Sequence, residues 1–151
     1  MKIAIITSGG DAPGMNACIR AITRYAINRG IKVCAFFGGY KGILEDKYTD
    51  LDRKSVSNVI HTGGTFIHTD RCKEFREKKY REKAAEILCG HNIDALIVIG
   101  GDGSFHGALD LYTDEDFNVM AIPGTIDNDL AYTEVTLGFD TAVNNVLWAI
   151  N

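Results

Sequence analysis

Two aspartates, Asp127 and Asp129, stand two positions apart in a short loop and are the residues best suited to chemistry. The loop, residues 123–129, follows the apolar run 119–122, which predicts a buried strand. Positions two apart in extended backbone face the same side, so two carboxylates this close need a cation or a raised pKa. One carboxylate beside a metal ion and one beside a substrate hydroxyl is the chemistry this pair suggests. An Asx-turn with no catalytic role is the alternative.

A second acidic loop, residues 100–104, places three glycines around Asp102 and follows another apolar run. Glycines let backbone approach a phosphate closely, and the N–H groups of a following helix favour anions. A carboxylate there opposes phosphate binding unless a cation lies between them. This favours Asp102 as a ligand of Mg²⁺ that also binds nucleotide phosphates. The alternative is a tight turn in which Asp102 caps the helix.

A third glycine-rich loop, residues 8–14, follows the first apolar run and contains Gly10. It lacks both G-x-G-x-x-G and the P-loop lysine, which argues against a dinucleotide fold and a Walker-type nucleotide triphosphatase. In a parallel sheet, the loops that follow the strands share one edge, and open α/β sheets bind ligands there. We therefore expect the three loops to converge.

Strands and helices alternate along the chain, which predicts a doubly wound α/β fold with a mostly parallel sheet. Periodicity and turn residues predict strands at residues 3–6, 33–37, 48–52, 94–99 and 119–122. The same signals predict helices at residues 15–28, 73–90 and 104–112, a short one from Ser55 or Ser57 to residue 60, and a last one from about residue 140.

Charge pairing and apolar patterning describe the surfaces of two of these helices. Glu77 and Arg81 are four apart and are expected to pair on the exposed side of the helix at 73–90. The last helix is apolar, and Trp148 and its neighbours have no following element to cover them.

Composition excludes several classes of protein. The chain has 151 residues, 46% of them hydrophobic, and a net charge of −4, which predicts one globular domain and argues against nucleic-acid binding. No apolar run is long enough to span a membrane, and the first residues lead directly into a strand rather than a signal peptide. The four cysteines lack metal or disulfide spacing, which fits a reduced, cytoplasmic setting.

Four segments together resemble the signature sequences of the 6-phosphofructokinase family: residues 7–16, 63–65, 99–104 and 123–129. They occur in family order and cover essentially the whole chain. The resemblance implies transfer of the γ-phosphoryl group of ATP to the 1-hydroxyl of fructose 6-phosphate, with Mg²⁺. It implies that residues 1–151 form the N-terminal, ATP-binding lobe, cut within its last helix. A second lobe would then supply most sugar-phosphate contacts, the complete enzyme would be a homotetramer, and this chain alone would have little activity.

The resemblance also assigns residues. Asp127 is implied as the catalytic base, with Thr125 and Ile126 beside it at the sugar. Asp102 and Asp129 are implied near the metal. ATP binding is implied for Gly10, Arg71, Cys72, Gly101, Asp102, Gly103 and Ser104.

Two glycines bear on the phosphoryl donor. Gly103 and Gly124 stand where pyrophosphate-dependent members of the family carry aspartate and lysine. An aspartate would repel the nucleotide phosphates, and a lysine would stabilise bare pyrophosphate. Both positions therefore favour ATP.

Arg20 and Arg24 lie four apart on the predicted first helix, with no carboxylate partner nearby in sequence. Such a basic face indicates either an anion site or solvated surface. The resemblance implies an allosteric nucleotide site formed by Arg20, Ala21, Ile22, Thr23, Arg24, Arg53, Lys54, Ser55, Val56, Ser57 and Asn58. Two other functions stay open: a related kinase with a different acceptor, and a non-catalytic nucleotide-sensing module.

Overall fold

A computed structural model describes all 151 residues and contains a six-stranded sheet in the order β3-β2-β1-β4-β5-β6. The strands are β1 (Lys2–Ser8), β2 (Lys32–Phe36), β3 (Tyr48–Leu51), β4 (Ala95–Gly100), β5 (Val119–Thr125) and β6 (Leu137–Gly138). All neighbouring strands are parallel except β2 and β3, which pair antiparallel. The predicted doubly wound, mostly parallel fold is confirmed.

The chain also forms five helices and one 3₁₀ turn. The helices are α1 (Met15–Asn28), α2 (Gly39–Leu44), α3 (Lys78–Gly90), α4 (Asp102–Glu115) and α5 (Phe139–Ile150), and the 3₁₀ turn is Glu74–Arg76. None of the helices is long and apolar enough to cross a lipid bilayer.

The core has one layer on each face of the sheet. On one face, Ile3 and Ile5 of β1 pack with Met15 and Ile19 of α1. On the other, strand residues such as Leu96 pack with α2, α3 and α4. Every β1 residue from Ile3 to Ser8 is buried, as expected of a central strand covered on both sides.

The region between β3 and the 3₁₀ turn differs from its prediction. The helix expected from Ser55 or Ser57 is absent, and residues 53–58 form turns instead. Asp52 accepts hydrogen bonds from the backbone N–H (2.6 Å) and the hydroxyl (2.7 Å) of Ser55, a capping arrangement that could start a helix. Asn58 then takes a positive φ of 58°, which interrupts any helix.

The predicted helix at 73–90 is broken at Glu77, whose backbone is extended. The expected pairing of Glu77 with Arg81 is therefore wrong. Arg81 is buried and instead binds Asp114 of α4, with Nε to Oδ2 at 2.7 Å and Nη2 to Oδ2 at 2.6 Å. Its Nη1 also donates to the carbonyl of Phe75 at 2.8 Å. Arg81 thus joins the 3₁₀ turn, α3 and α4.

Two elements were not predicted, namely α2 and β6, because each is short and rich in glycine or lacks a clear period. The last helix, α5, begins at Phe139 and has no buried residue. Trp148 is 84% exposed, so the expectation that its side chain lies uncovered is confirmed.

Candidate active site at the carboxyl edge of the sheet

The three glycine-rich loops meet at the carboxyl edge of the sheet. Ser104 at the start of α4 donates its hydroxyl to the carbonyl of Ser8 at 3.0 Å. A Cβ on Gly100 would lie 2.6 Å from that same carbonyl oxygen, so only glycine fits there. A Cβ on Gly101 would lie 3.5 Å from Cβ of Thr125, which brings the loop after β4 against the end of β5. The predicted convergence is confirmed.

The loop after β4 presents Asp102 in the first turn of α4, where its side chain is 64% exposed. The N-cap is Gly101, and no side chain caps the helix. The alternative in which Asp102 is the cap is therefore wrong. The Asp102 carboxylate lies 3.4 Å from Nδ1 of His106, one turn further along α4. An uncapped helix start flanked by glycines leaves backbone N–H groups available to an anion.

The loop after β5 exposes both Asp127 and Asp129, and neither carboxylate has a cationic partner within 4.0 Å. Asn128 between them has a positive φ of 50° and turns its amide inward. Its Oδ1 accepts from the N–H of Thr136 at 2.9 Å, and its Nδ2 donates to the carbonyl of Glu134 at 3.2 Å. The Asx interactions of this loop therefore belong to Asn128, which leaves both aspartates free.

Thr136 completes this support. Its side chain is buried, and its hydroxyl donates to the carbonyl of Thr125 at 2.6 Å. The Thr125 hydroxyl in turn accepts from the N–H of Asp127 at 3.2 Å. Sequence reasoning missed Asn128 and Thr136 as supporting residues. An asparagine between two aspartates was a usable signal, because asparagine tolerates positive φ and bonds nearby backbone.

The implied ATP residues Arg71 and Cys72 follow a segment that is tied to β1. Thr69 donates its hydroxyl to the carbonyl of Gly9 at 2.7 Å. The N–H of Arg71 donates to Oδ1 of Asp70 at 2.7 Å, and Lys41 of α2 binds Oδ2 of Asp70 at 2.8 Å. Hydrogen bonding by Lys41 lowers the pKa of Asp70. The bonds of Thr69 and Asp70 to Gly9 bring Arg71 near the first glycine-rich loop, and Arg71 is exposed to solvent.

Cys72 is half-buried, with its Sγ 3.6 Å from Oε2 of Glu74. Burial raises the pKa of its thiol. Gly10 is exposed, and a Cβ at this position would meet nothing within 4 Å. Open space beside Gly10 fits close approach of a ligand to its backbone.

Tyr40 of α2 contacts the first turn of α4 through a hydrogen bond. It is buried, donates its hydroxyl to the carbonyl of Ser104 at 2.7 Å, and stacks on Phe75 with ring centroids 4.0 Å apart. A Cβ on Gly107 would lie 3.0 Å from the Tyr40 ring, so glycine permits this close packing. Burial raises the pKa of Tyr40, which therefore stays a hydrogen-bond donor at neutral pH.

The structure brings together the two segments of the implied effector site, α1 and residues 53–58. Arg20 is half-buried and donates from Nη1 to the carbonyl of Val56. Arg53 binds the side-chain oxygen of Asn28, and Arg24 is exposed. None of the three arginines has a carboxylate within 4.0 Å. This basic patch lies along α1 and is separate from the three loops.

No group of three or more histidine, cysteine, aspartate or glutamate side chains lies close enough together to hold a metal ion. Mg²⁺ does not require such a cage, since one or two carboxylates with phosphate oxygens and water suffice. The exposed carboxylates of Asp102, Asp127 and Asp129, on loops joined by the contact of Gly101 with Thr125, fit that mode.

These features define a class of protein: a doubly wound α/β fold that presents glycine-rich loops and exposed carboxylates at the carboxyl edge of its sheet. The sequence profile of the family described as "Phosphofructokinase" matches residues 2–151. The chain belongs to this family.

The similar proteins and solved structures are named phosphofructokinases, in agreement with the family assignment. Over 149 residues, 99% of this chain, it is 55% identical to a protein of Clostridium botulinum (strain Hall) named ATP-dependent 6-phosphofructokinase. The chain spans 46% of that relative's length. The crystal structure of Pichia pastoris phosphofructokinase in the T-state matches with a TM-score of 0.90 at 41% identity, over 99% of this chain and 18% of the other. A pyrophosphate-dependent phosphofructokinase from Marinobacter aquaeolei matches with a TM-score of 0.80 at 25% identity, over 91% of this chain and 37% of the other.

Proposed function

We propose that this chain is the ATP-binding lobe of an ATP-dependent 6-phosphofructokinase, which transfers the γ-phosphoryl group of ATP to the 1-hydroxyl of fructose 6-phosphate. The observation that carries the proposal is the meeting of the three loops. The hydrogen bond of Ser104 to Ser8 and the pairing of Gly100 with Pro123 mean that Asp102 and Asp127 follow neighbouring strands at one sheet edge. That arrangement matches a reaction whose catalysis is mostly positioning and neutralisation of charge.

The residues would divide the work as follows. The backbone of Gly10 and of residues 101–104 binds the nucleotide phosphates, with Arg71 and Cys72 alongside. Asp127 accepts the proton of the acceptor hydroxyl, since its carboxylate is exposed and its backbone N–H is fixed by the hydroxyl of Thr125. Thr125 and Ile126 lie beside the sugar.

Asp102 and Asp129 would hold Mg²⁺ together with phosphate oxygens. The ion would neutralise charge on the phosphoryl group. Asp129 lies two residues beyond Asp127 and is exposed without a cationic partner, as a ligand needs to be.

The wider setting is proposed from the family alone. Residues 1–151 form one lobe, and the part of the relatives that this chain does not span supplies most contacts to the sugar phosphate. The complete enzyme works as a cytoplasmic homotetramer in glycolysis, with nucleotide regulation through the Arg20, Arg24 and Arg53 patch.

The test is a chimera in which this chain replaces the matched segment of the Clostridium botulinum relative. We expect phosphorylation of fructose 6-phosphate with MgATP in a coupled ADP assay. Asp127→Asn removes the base with little change in shape, so we expect kcat to fall by about 10²–10⁴-fold. Asp116→Asn, at the opposite end of α4, is the matched control and should leave kcat unchanged. An Asp127→Asn chimera within threefold of the parent would refute the base assignment.

A second function is favoured by one observation: the basic patch on α1 has no carboxylate partner. In a non-catalytic sensing module, ADP would bind to the 151-residue chain by calorimetry, and Arg20→Ala/Arg24→Ala would abolish that binding. Asp102→Asn would leave it intact. Turnover of fructose 6-phosphate by the chimera would exclude this second function. Turnover of a different sugar, without turnover of fructose 6-phosphate, would indicate a related kinase with a different acceptor.

A further inference from the structure

Asn16, in the first turn of α1, is 2% exposed and uses its whole side-chain amide on a distant segment. Its Nδ2 donates to the carbonyl (3.0 Å) and hydroxyl (2.9 Å) of Thr62 and approaches the carbonyl of Gly63 at 3.4 Å. Its Oδ1 accepts from the backbone N–H of Phe66 at 2.8 Å. These partners lie 46 to 50 residues away in sequence. A buried amide is costly unless it is hydrogen-bonded, and here each side-chain atom is.

The segment that Asn16 binds has no regular structure of its own from residue 59 to residue 73. It lies against the end of β1, where Thr7 donates its hydroxyl to the carbonyl of His68 at 2.8 Å and meets the hydroxyl of Thr65 at 3.1 Å. Gly64 has a φ of 66°, and a Cβ on it would lie 2.6 Å from Oδ2 of Asp11. The segment therefore forms one wall of the first glycine-rich loop.

The chemistry of this contact requires an amide. An aspartate at position 16 could still accept from Phe66, but its second oxygen would face the carbonyl oxygens of Thr62 and Gly63 without a proton between them. An apolar residue would leave the Phe66 N–H and the Thr62 carbonyl without this partner. Only an amide both donates to two carbonyls and accepts from a backbone N–H here.

We propose that Asn16 is a positioning residue for the nucleotide. It clamps residues 62–66 to the start of α1 and so fixes the wall of the phosphate-binding loop and the approach of the chain to Arg71. This inference rests on the proposed function, because it assigns the clamped segment to MgATP binding. The hydrogen bonds of the Asn16 side chain go to residues 62–66 and none goes to Asp127, so its effect falls on nucleotide affinity rather than on the chemical step.

The kinetic test uses Asn16→Ala, Asn16→Asp and Thr62→Val in the chimera defined above. Thr62→Val removes one acceptor of the clamp from an exposed side chain and spares the core. We expect KM for MgATP to rise about tenfold for the Asn16 variants and about threefold for Thr62→Val. The kcat and the KM for fructose 6-phosphate should stay within about twofold. Asn118→Asp is the matched control at the amino edge of the sheet, where Nδ2 bonds the carbonyl of Asp94, and should change neither KM.

A merely structural role would lower the amount of folded enzyme and leave KM for MgATP alone, and that result would overturn the proposal. Amide hydrogen exchange of the 151-residue chain supplies a readout that needs no turnover. The Phe66 N–H should exchange at least tenfold faster in Asn16→Ala than in the parent chain, and equal rates would also overturn the proposal. A parent chimera without activity would refute the proposed function, while the Phe66 measurement would still decide the clamp.

Discussion

Replacing Gly103 with aspartate separates the electrostatic cost of nucleotide binding from any cost in folding. Gly103 lies in the first turn of α4, and a Cβ there would meet nothing within 4 Å. Replacing a helical glycine by aspartate favours the fold by about 0.3 kcal/mol in helix propensity, and a negative charge in the first turn adds about 0.3–1 kcal/mol. We therefore expect the melting temperature of Gly103→Asp to equal or exceed that of the parent.

The whole penalty should then appear in the affinity for ATP. For an assumed separation of about 6 Å, a carboxylate and one phosphate charge repel by about 0.7 kcal/mol at the dielectric constant of water and by about 3 kcal/mol at an effective value of 20. KM for MgATP in the chimera should accordingly rise between about threefold and about 100-fold. Because the charges are exposed, raising the ionic strength should shrink the effect.

Gly103→Asn is the matched neutral control and should bind ATP nearly as the parent does. An equal rise in KM for aspartate and asparagine would mean that crowding, rather than charge, excludes the nucleotide. A rise in KM for MgATP that does not depend on ionic strength would also contradict the electrostatic argument.

Gly124 is buried, so a substitution there should affect folding, unlike a substitution at Gly103. A Cβ there would lie 2.8 Å from Cγ2 of Ile99 and 3.4 Å from Cε of Met15. Even Gly124→Ala should therefore destabilise the fold, by about 1–3 kcal/mol, as overpacking does. A lysine at this position would add its charge on top of that steric cost.

Two further predictions concern stability and pH. Arg81→Met should lower the free energy of unfolding by about 3 kcal/mol in urea titration, since it strands Asp114 and the Phe75 carbonyl. Arg81→Met/Asp114→Leu should recover part of the loss, and a double variant as unstable as the single one would contradict the role of the stranded charge. Burial raises the pKa of the Cys72 thiol, so its alkylation by iodoacetamide should reach half its maximal rate at a higher pH than that of a free cysteine. Mass spectrometry measures the alkylation of each cysteine as a function of pH. A pH dependence for Cys72 that coincides with that of a free cysteine would contradict the raised pKa.

The elements that sequence predicts well are those with a strong period and clear ends. The β1 strand is apolar from Ile3 to Ile6 and buried from Ile3 to Ser8, and α1 runs from Met15 to Asn28 as its spacing predicts. The convergence of the three loops followed from topology, because every parallel strand ends at the same edge. The residue roles at that edge came from family resemblance, and their chemistry stays a prediction.

What the sequence could not show depends on contacts between distant residues. Arg81 has a plausible partner four positions away in Glu77, yet it binds Asp114 because the chain is extended at Glu77. Local spacing could not reveal that break. Similarly, Asn128 and Thr136 support the acidic loop through a hydrogen bond between residues eight positions apart. No sequence period predicts that pairing.

The irregular region from residue 52 to residue 73 also depends on contacts between residues that are distant in sequence. It has no hydrogen-bonded ladder of its own, and three side chains of α1 fasten it: Asn28 binds Arg53, Arg20 binds Val56, and Asn16 binds residues 62–66. The polar residues of α1 thus hold a loop in place, while its apolar residues, such as Ile19, pack on the sheet. Because α1 holds both residues 53–56 and residues 62–66, a substitution that removes one of these bonds should loosen the neighbouring bond more than a distant part of the sheet.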